Sequence, residues 1–404
     1  MRPVTLRCRT AEEPDLDRLV DIHMAAYPDD RDAAARKRNF TANVFGELDD
    51  VVVVEDRGDI VGHGRLFPMA SWFGGRKVRV GGIASVAVAP EARGRGVATA
   101  LLEELHARAR SRGDAVTLLY AFKQGFYARL GYGPTSTRRR LAVSPEAIPA
   151  SFRDAARALV GRARGEDREA IEKAYLRSAA RCTGWLLRRP RHWERLFARE
   201  RRQVLVARRG KKLVGYVGFE IEQPEAHAET RLVVEELVAD DAEVRRALWG
   251  ALSAMRDQVA EIDVEVAADD PIAFALLDAD RRRHGTEAVE HVMGEIVVGP
   301  MVRLVDPARA LTARGYAGPA ASFDVALAEG PRLGVVVADG KAELVKAKGR
   351  AVVHTSTATL ASLLYGGLRL EGAVSLGLAD APPEVVARVA PALALAPMFP
   401  VDPF

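Results

Sequence analysis

The 404-residue chain holds only two cysteines, Cys8 and Cys182. Two thiols cannot build a disulfide framework or a thiolate zinc site, so a reducing compartment, the cytoplasm, is expected. No apolar run reaches the roughly 18 residues that a membrane-spanning helix needs. The opening stretch, Met1 to Leu19, has no apolar core, so no signal peptide is expected. No sign of charge dominates: 59 Lys and Arg stand against 55 Asp and Glu, a net +4. That balance is too mild and too mixed to argue for nucleic acid. The eight histidines are scattered, with no pair at helical metal-ligand spacing, so no metal is assigned. What remains is ordinary globular composition, 48% apolar and 28% charged, which excludes a disordered, collagen-like or coiled-coil chain. At about 100–200 residues per domain, the length implies about two to four domains.

The apolar periodicity divides the chain into three stretches. In the first, helical spacing predicts helices over 15–27 and 32–45. Strands are expected at 51–54 and 60–68 around the turn Arg57-Gly58-Asp59, and at 78–88 with a break at Gly81-Gly82. A helix over 95–112 with Gly113 as its stop, a strand at 115–121 and a short helix at 124–130 complete a mixed α/β domain over 1–150. A similar order returns over 151–298: helices at 151–163 and 167–180, strands at 203–208, 212–219 and 229–238, a helix at 241–259, a strand at 262–267, a helix near 271–278 and a strand near 289–297. We read this order as an internal structural duplication without sequence identity. The third stretch, 299–404, has a different pattern. Its expected elements are helices at 306–313, 357–364 and 383–390, and strands at 321–328, 333–338, 341–346 and 350–355. The proline-rich end, 391–404, reads as an extended tail.

The most informative segment runs from Val86 through Ala87, Val88, Ala89, Pro90, Glu91, Ala92, Arg93, Gly94, Arg95, Gly96 and Val97 to Ala98. A β-branched strand enters a loop, and a helix opens behind it. The first turn of a helix has unpaired N–H groups and the positive end of its dipole. Gly94 and Gly96 let the backbone approach an anion, and Arg93 and Arg95 add charge. Those features suit a diphosphate.

This segment resembles motif A of the GCN5-related N-acetyltransferases (GNATs), whose pattern is Gln/Arg-x-x-Gly-x-Gly/Ala. The resemblance implies acetyl-CoA as co-substrate. Backbone groups of Val86, Ala87 and Val88 would bond its pantetheine, and Arg93, Gly94, Arg95, Gly96, Val97, Ala98 and Thr99 would cradle its pyrophosphate. A second segment, Gly125-Phe126-Tyr127-Ala128-Arg129-Leu130-Gly131-Tyr132, resembles the aromatic box that follows the fifth strand in that family. There the Tyr hydroxyl protonates the leaving thiolate, the role implied for Tyr127. Phe122 and Lys123 are expected to flank the pantetheine arm. The strand before motif A often supplies a general base, but 78–89 contains no carboxylate and no histidine.

The whole chain resembles the Eis (enhanced intracellular survival) family. The likeness rests on domain order, on Thr183-Gly184-Trp185-Leu186, on Met301-Val302-Arg303-Leu304-Val305-Asp306, and on the ending Asp402-Pro403-Phe404. It implies an α/β (α+β) architecture: a catalytic GNAT domain over 1–150, a second GNAT-like domain over 151–298 and a sterol carrier protein-like domain over 299–404. It also implies a homohexamer, and a C-terminal carboxylate, that of Phe404, entering the first site as base. The second domain has Asp240, Asp241 and Glu243 where the first has its arginines and glycines. Acids at a helix N-terminus cap it well but repel a pyrophosphate, so no CoA is expected there.

The remaining singular residues read as structural or as solvated. His63 is expected to be a structural histidine. Asp29 and Asp30 suit either a cationic amine or a solvated loop. The Arg-rich stretches 138–140, 188–191, 199–202 and 281–283 read as solvated faces and subunit contacts. Two function classes stand: an acetyltransferase acting on primary amines of a cationic, aminoglycoside-like molecule or on lysine, and a lipid-carrier or interaction protein with a degenerate GNAT unit. The Arg93–Ala98 loop and Tyr127 favour the first.

Overall fold

The computed structural model describes residues 6–223, 229–279, 290–349 and 351–404. Its contacts form two units: residues 1–135 with 300–395 and 402–404, and residues 136–299 with 396–401. Residues 136–150 therefore group with the second fold, not with the first as the expected break at 150 had it.

The first unit opens with β1 (Leu6–Thr10), α1 (Leu16–Ala26), α2 (Ala33–Thr41), β2 (Val51–Asp56), β3 (Asp59–Phe73) and β4 (Arg76–Val88). Then come α3 (Val97–Arg112), β5 (Val116–Leu119), α4 (Gln124–Ala128) and the two-residue β6 (Gly133–Pro134). The Val51–Val54 run is wholly buried, as a continuous apolar strand should be, and α3 lays Val97, Leu101, Leu105 and Ala109 on the same core. Gly113 ends α3 in the left-handed region, at φ 81°. The expected break at Gly81-Gly82 does not occur. Both glycines stay in register opposite Pro68 and Phe67, and the irregularity lies further on, where Ser85 and Val86 together oppose Gly64. This β-bulge puts Ser85 at φ 52°.

The second unit contains β7 (Arg138–Val143), α5 (Ala150–Leu159), β8 (Val160–Arg162), α6 (Arg168–Ala179) and α7 (Pro190–Phe197). It continues with β9 (Gln203–Arg209), β10 (Lys212–Glu222), β11 (Arg231–Ala239), α8 (Ala242–Ser253), β12 (Glu261–Ala267) and β13 (Gly294–Val297). The helix expected near 271–278 is a single 3₁₀ turn, Pro271–Phe274.

Three Arg-rich stretches read as solvated faces and subunit contacts depart from that reading only in part, since Arg140, Arg191, Arg199 and Arg201 are exposed. Residues 138–140 lie in β7, paired with β12 and β13. Arg188 and Arg202 are buried because Glu236, itself buried, takes both guanidinium groups at 2.6 and 2.9 Å. Two fixed cations compensate one desolvated carboxylate, an arrangement the linear sequence hides. The fourth stretch, 281–283, lies outside the described residues.

The chain then returns to the first unit with β14 (Met301–Leu304), α9 (Pro307–Ala313), β15 (Ala321–Leu327), β16 (Arg332–Ala338), β17 (Lys341–Val345) and β18 (Val352–Thr355). It closes with α10 (Thr357–Ala361), α11 (Leu370–Ser375), β19 (Ala379–Asp380) and α12 (Pro383–Leu393). β15–β19 form a separate sheet in the order β17-β16-β15-β18-β19. Pro391 does not end α12, which runs on to Leu393. The extended tail therefore starts at 394.

The duplication is visible in the sheets. The first is ordered β1-β2-β3-β4-β5-β14-β6 and the second β8-β9-β10-β11-β12-β7-β13. In each, the central parallel pair shares only a short register before the strands part. β4 meets β5 over Val80–Gly82, and β11 meets β12 over Arg231–Val234. Both strands carry a bulge beside the parting, at Ser85–Val86 and at Glu235. In each sheet the sixth strand comes from beyond the fold's own continuous run, β14 in the first and β7 in the second.

Candidate active site

Among the described residues, no strand pairs with β4 beyond Gly82 on the edge facing β5, so residues 83–88 border a wedge between the two strands. A cavity of about 650 Å³ occupies this wedge. Val86, Ala87 and Val88 line one wall, Arg93 and Ala98 the end near the loop, and Phe122, Lys123 and Tyr127 the opposite side. The structure thus gathers eight of the sequence-predicted residues around one space.

Gly94, Arg95, Gly96, Val97 and Thr99 do not line it. Gly94 and Gly96 sit at φ 74° and 83°, with open space where a side chain would stand. Gly96 is the N-cap of α3, so the backbone of 97–99 forms its unpaired first turn. Arg95 is held by Asp56 at 2.5 Å, and Val97 is buried in the core. Of the two loop arginines, Arg93 is the exposed one.

Tyr127 is 3% exposed and meets Phe126 and Tyr132 edge-on, at 5.1 and 5.9 Å between ring centres. Burial, with Tyr27 beside it, pushes its phenol up to about 12. A phenol held neutral through the working range keeps a proton to give. Phe122 stands 75% exposed at the rim.

The sequence reading missed Tyr27. Its hydroxyl donates to the Val86 carbonyl at 2.8 Å, and its side chain lines the same cavity. The signal was faint: an aromatic at a helix end, before a proline. Below it lies a buried aromatic stack. His23 packs on Tyr27 at 4.7 Å and lies parallel to His63 at 5.8 Å. Asp29 is not open to an amine, because Arg31 and Arg36 hold it at 2.5 and 2.6 Å. Asp30 is exposed.

The two histidines set an acid limit on stability. Burial, then the charges of Arg36 and Arg65, push His23 from 6.5 down to about 4. Burial, then His23, push His63 from 6.5 down to about 3. Both rings are neutral in the fold, whereas unfolded histidine takes a proton near pH ~6.5. Below that pH the unfolded chain binds more protons than the folded one, so stability falls as pH falls towards the folded values. Thermal melts should therefore show a midpoint that drops steadily from about pH 6.5 to 4. His23→Gln, which keeps an acceptor for Arg36 but cannot charge, should flatten that slope; an unchanged slope would show that His23 does not set it.

Phe404 lies in the same unit, with its ring 5.5 Å from that of Tyr120 and 6.1 Å from that of Phe45. Its Cδ2 stands 3.1 Å from where a Cβ on Gly82 would be. Gly82 is the last residue of β4 paired with β5, so the terminal ring sits at the apex of the wedge.

Comparison with known proteins agrees with this geometry. A family model described as "Acetyltransferase (GNAT) domain" matches residues 7–135, and a second of the same description matches 184–304. An uncharacterized N-acetyltransferase of Streptomyces avermitilis is 30% identical over 342 residues, 76% of each chain. N-acetyltransferase Eis of Mycobacterium tuberculosis is 29% identical over 299 residues, 71% of each. The chain belongs to the GCN5-related N-acetyltransferases, of the Eis type.

A solved GCN5-related N-acetyltransferase from Kribbella flavida superposes on this Eis-type chain with a TM-score of 0.81 and 26% identity, covering 99% of each. The protein is thus an acyltransferase built on two tandem GNAT folds. The two folds differ at the junction that matters. Where the first has glycines at positive φ ahead of α3, the second has Asp241 capping α8, its side chain taking the Val244 N–H at 3.1 Å. Arg209 binds both Asp241 and Glu243.

Proposed function

We propose that this chain transfers the acetyl group of acetyl-CoA to a primary amine of a cationic small molecule, aminoglycoside-like, or of lysine. The observation that carries the reading is the convergence of a splayed strand edge, a glycine-opened helix N-terminus and a buried neutral phenol on one cavity. Acetyl-CoA supplies the activated thioester. The backbone of Val86–Val88 holds its amide arm, the N–H groups following Gly94 and Gly96 take its diphosphate, and Arg93 adds charge. Lys123 and Phe122 flank the arm. Tyr127 gives its proton to the departing sulfur. The terminal carboxylate of Phe404 takes the proton of the incoming ammonium, the task for which β4 offers no side chain. On the same reading the segment 299–404 is a sterol carrier-like domain, and the assembly is a cytoplasmic homohexamer.

Gly96→Asp is the decisive variant for the cofactor. Nothing lies within 4 Å of a Cβ built there, but the φ of 83° strains any side chain, so the variant's thermal midpoint is measured beside its binding; the added carboxylate stands where the diphosphate is placed. Calorimetric titration with acetyl-CoA should show saturable binding by the native chain and none by the variant. Equal affinity would remove the assignment. No binding by the native chain would instead favour a degenerate fold serving as a carrier or interaction protein.

A further inference from the structure

The segment Met301-Val302-Arg303-Leu304-Val305-Asp306, conspicuous in the sequence, does not line the cavity. Its first four residues are β14, which pairs antiparallel with β5 and, through Met301 and Val302, with β6. The register sets Arg303 opposite Thr117. Residues directly opposite each other across two strands put their side chains on one face of the sheet.

Both side chains of this rung reach the same turn. Arg303 Nε donates to the Leu130 carbonyl at 2.9 Å. Thr117 Oγ1 lies 3.0 Å from the Tyr132 hydroxyl, which also meets His106 Nε2 of α3 at 2.8 Å. Burial, then the charges of Arg303 and Arg110, push His106 from 6.5 down to about 3, so its ring is neutral there. Between the two held residues stands Gly131, at φ 83°. The turn closes on Tyr127. The N–H groups of Leu130 and Tyr132 both donate to the Tyr127 carbonyl, at 2.9 and 3.2 Å, and the Tyr132 ring meets the Tyr127 ring edge-on.

α4, which carries Tyr127, has five residues. A helix that short has no stability of its own, so its place is set by what holds its ends. Arg303 is half-buried, and among the described residues no carboxylate pairs with it. Its second bond runs from Nη1 to the Leu304 carbonyl at 3.3 Å. A desolvated cation is thus spent on backbone carbonyls, one of them in the turn behind Tyr127. Such a charge-assisted bond is roughly twice as strong as a neutral one.

We propose that the Arg303–Thr117 rung aims the Tyr127 phenol at the departing sulfur, with Arg303, Thr117 and Tyr132 as positioning residues. The proposal rests on the reading of Tyr127 as the acid. A strand contributed from beyond residue 300 fixes the proton donor, while the cavity wall Val86–Val88 belongs to β4. Loosening the rung therefore costs turnover and spares cofactor affinity. A misplacement of ~1 Å at a reacting group can cost about 10²-fold.

Arg303→Met keeps the apolar stem and the backbone ladder of β14 but removes the donors. Tyr132→Phe keeps the ring and removes the hydroxyl. Each should lower kcat about 10-fold or more, with a native acetyl-CoA dissociation constant by calorimetry. Amide exchange over 124–132 should quicken in Arg303→Met. In a Tyr127→Phe chain neither substitution should lower kcat further, a result that general damage to the fold would not give. The proposal falls if either single variant turns over at the native rate, or if either lowers kcat further in the Tyr127→Phe chain. It falls if exchange over 124–132 stays native in Arg303→Met. It falls also if affinity drops with kcat, since the rung then supports the cavity as a whole. Should Arg303→Met fail to fold, Tyr132→Phe decides alone. If Tyr127→Phe is itself fully active, the acid reading fails, and the positioning proposal falls with it.

Discussion

Tyr127→Phe is expected to lower kcat by about 10²–10⁴-fold, the usual worth of a general acid, with little change in acetyl-CoA affinity. The ring is held by edge-on contacts with Phe126 and Tyr132, and Phe keeps all of them. What the variant loses is one oxygen with its proton. Burial and the neighbouring Tyr27 raise that phenol to about 12, so it stays protonated across the working range and contributes no alkaline limb to a pH–rate profile there. A thermal midpoint at the native value, together with collapsed turnover, would separate this role from packing. Full turnover in the variant would show that Tyr127 is only a buried aromatic.

The parts of this site legible in the sequence are those where local chemistry and local structure coincide. The turn from Arg93 into α3 is legible because glycine and a helix start are short-range signals. Gly94 and Gly96 do take positive φ. Residue types do not reveal who holds whom across the fold. Arg95 belongs to Asp56, which lies 39 positions earlier, and so leaves Arg93 as the exposed arginine of the loop. Arg188 and Arg202 look like surface charges until Glu236 is folded against them.

Strand order escapes the sequence for the same reason. β14, read only as part of a family signature, pairs with Leu119 back to Val116 inside the first sheet. β7, read as a charged face, belongs to the second. Both pairings are non-local, and periodicity over ten residues carries no information about them. The bulge at Ser85–Val86 is equally hidden. The glycine pair at 81–82 marks no break; at Gly82 it admits the close approach of the Met69 thioether and, next to it, of the Phe404 ring.

An effect of the same size is expected at the last residue. An amine that attacks a thioester must first lose a proton, and 78–89 supplies neither carboxylate nor histidine to take it. The tail brings a carboxylate of another origin. The Phe404 ring is wedged between Tyr120, Phe45 and Gly82 at the apex where β4 leaves β5, an apolar anchor that fixes the group attached to it. An α-carboxylate titrates near ~3.3–3.7 in water, and an apolar wall moves it upward, towards a value at which it can hold the proton it takes. One glycine appended after Phe404 leaves the ring and its contacts in place but carries the carboxylate about 3.3–3.6 Å onward. Proton transfer works only within hydrogen-bond reach, so the extended chain should lose about 10²–10⁴-fold in acetyl transfer. Calorimetry should still show native acetyl-CoA binding. Deleting Phe404 should do the same, with the anchor lost as well. If the glycine-extended enzyme transfers acetyl at the native rate, the base is not the terminal carboxylate, and the aromatic seat at Gly82 serves only to close the wedge.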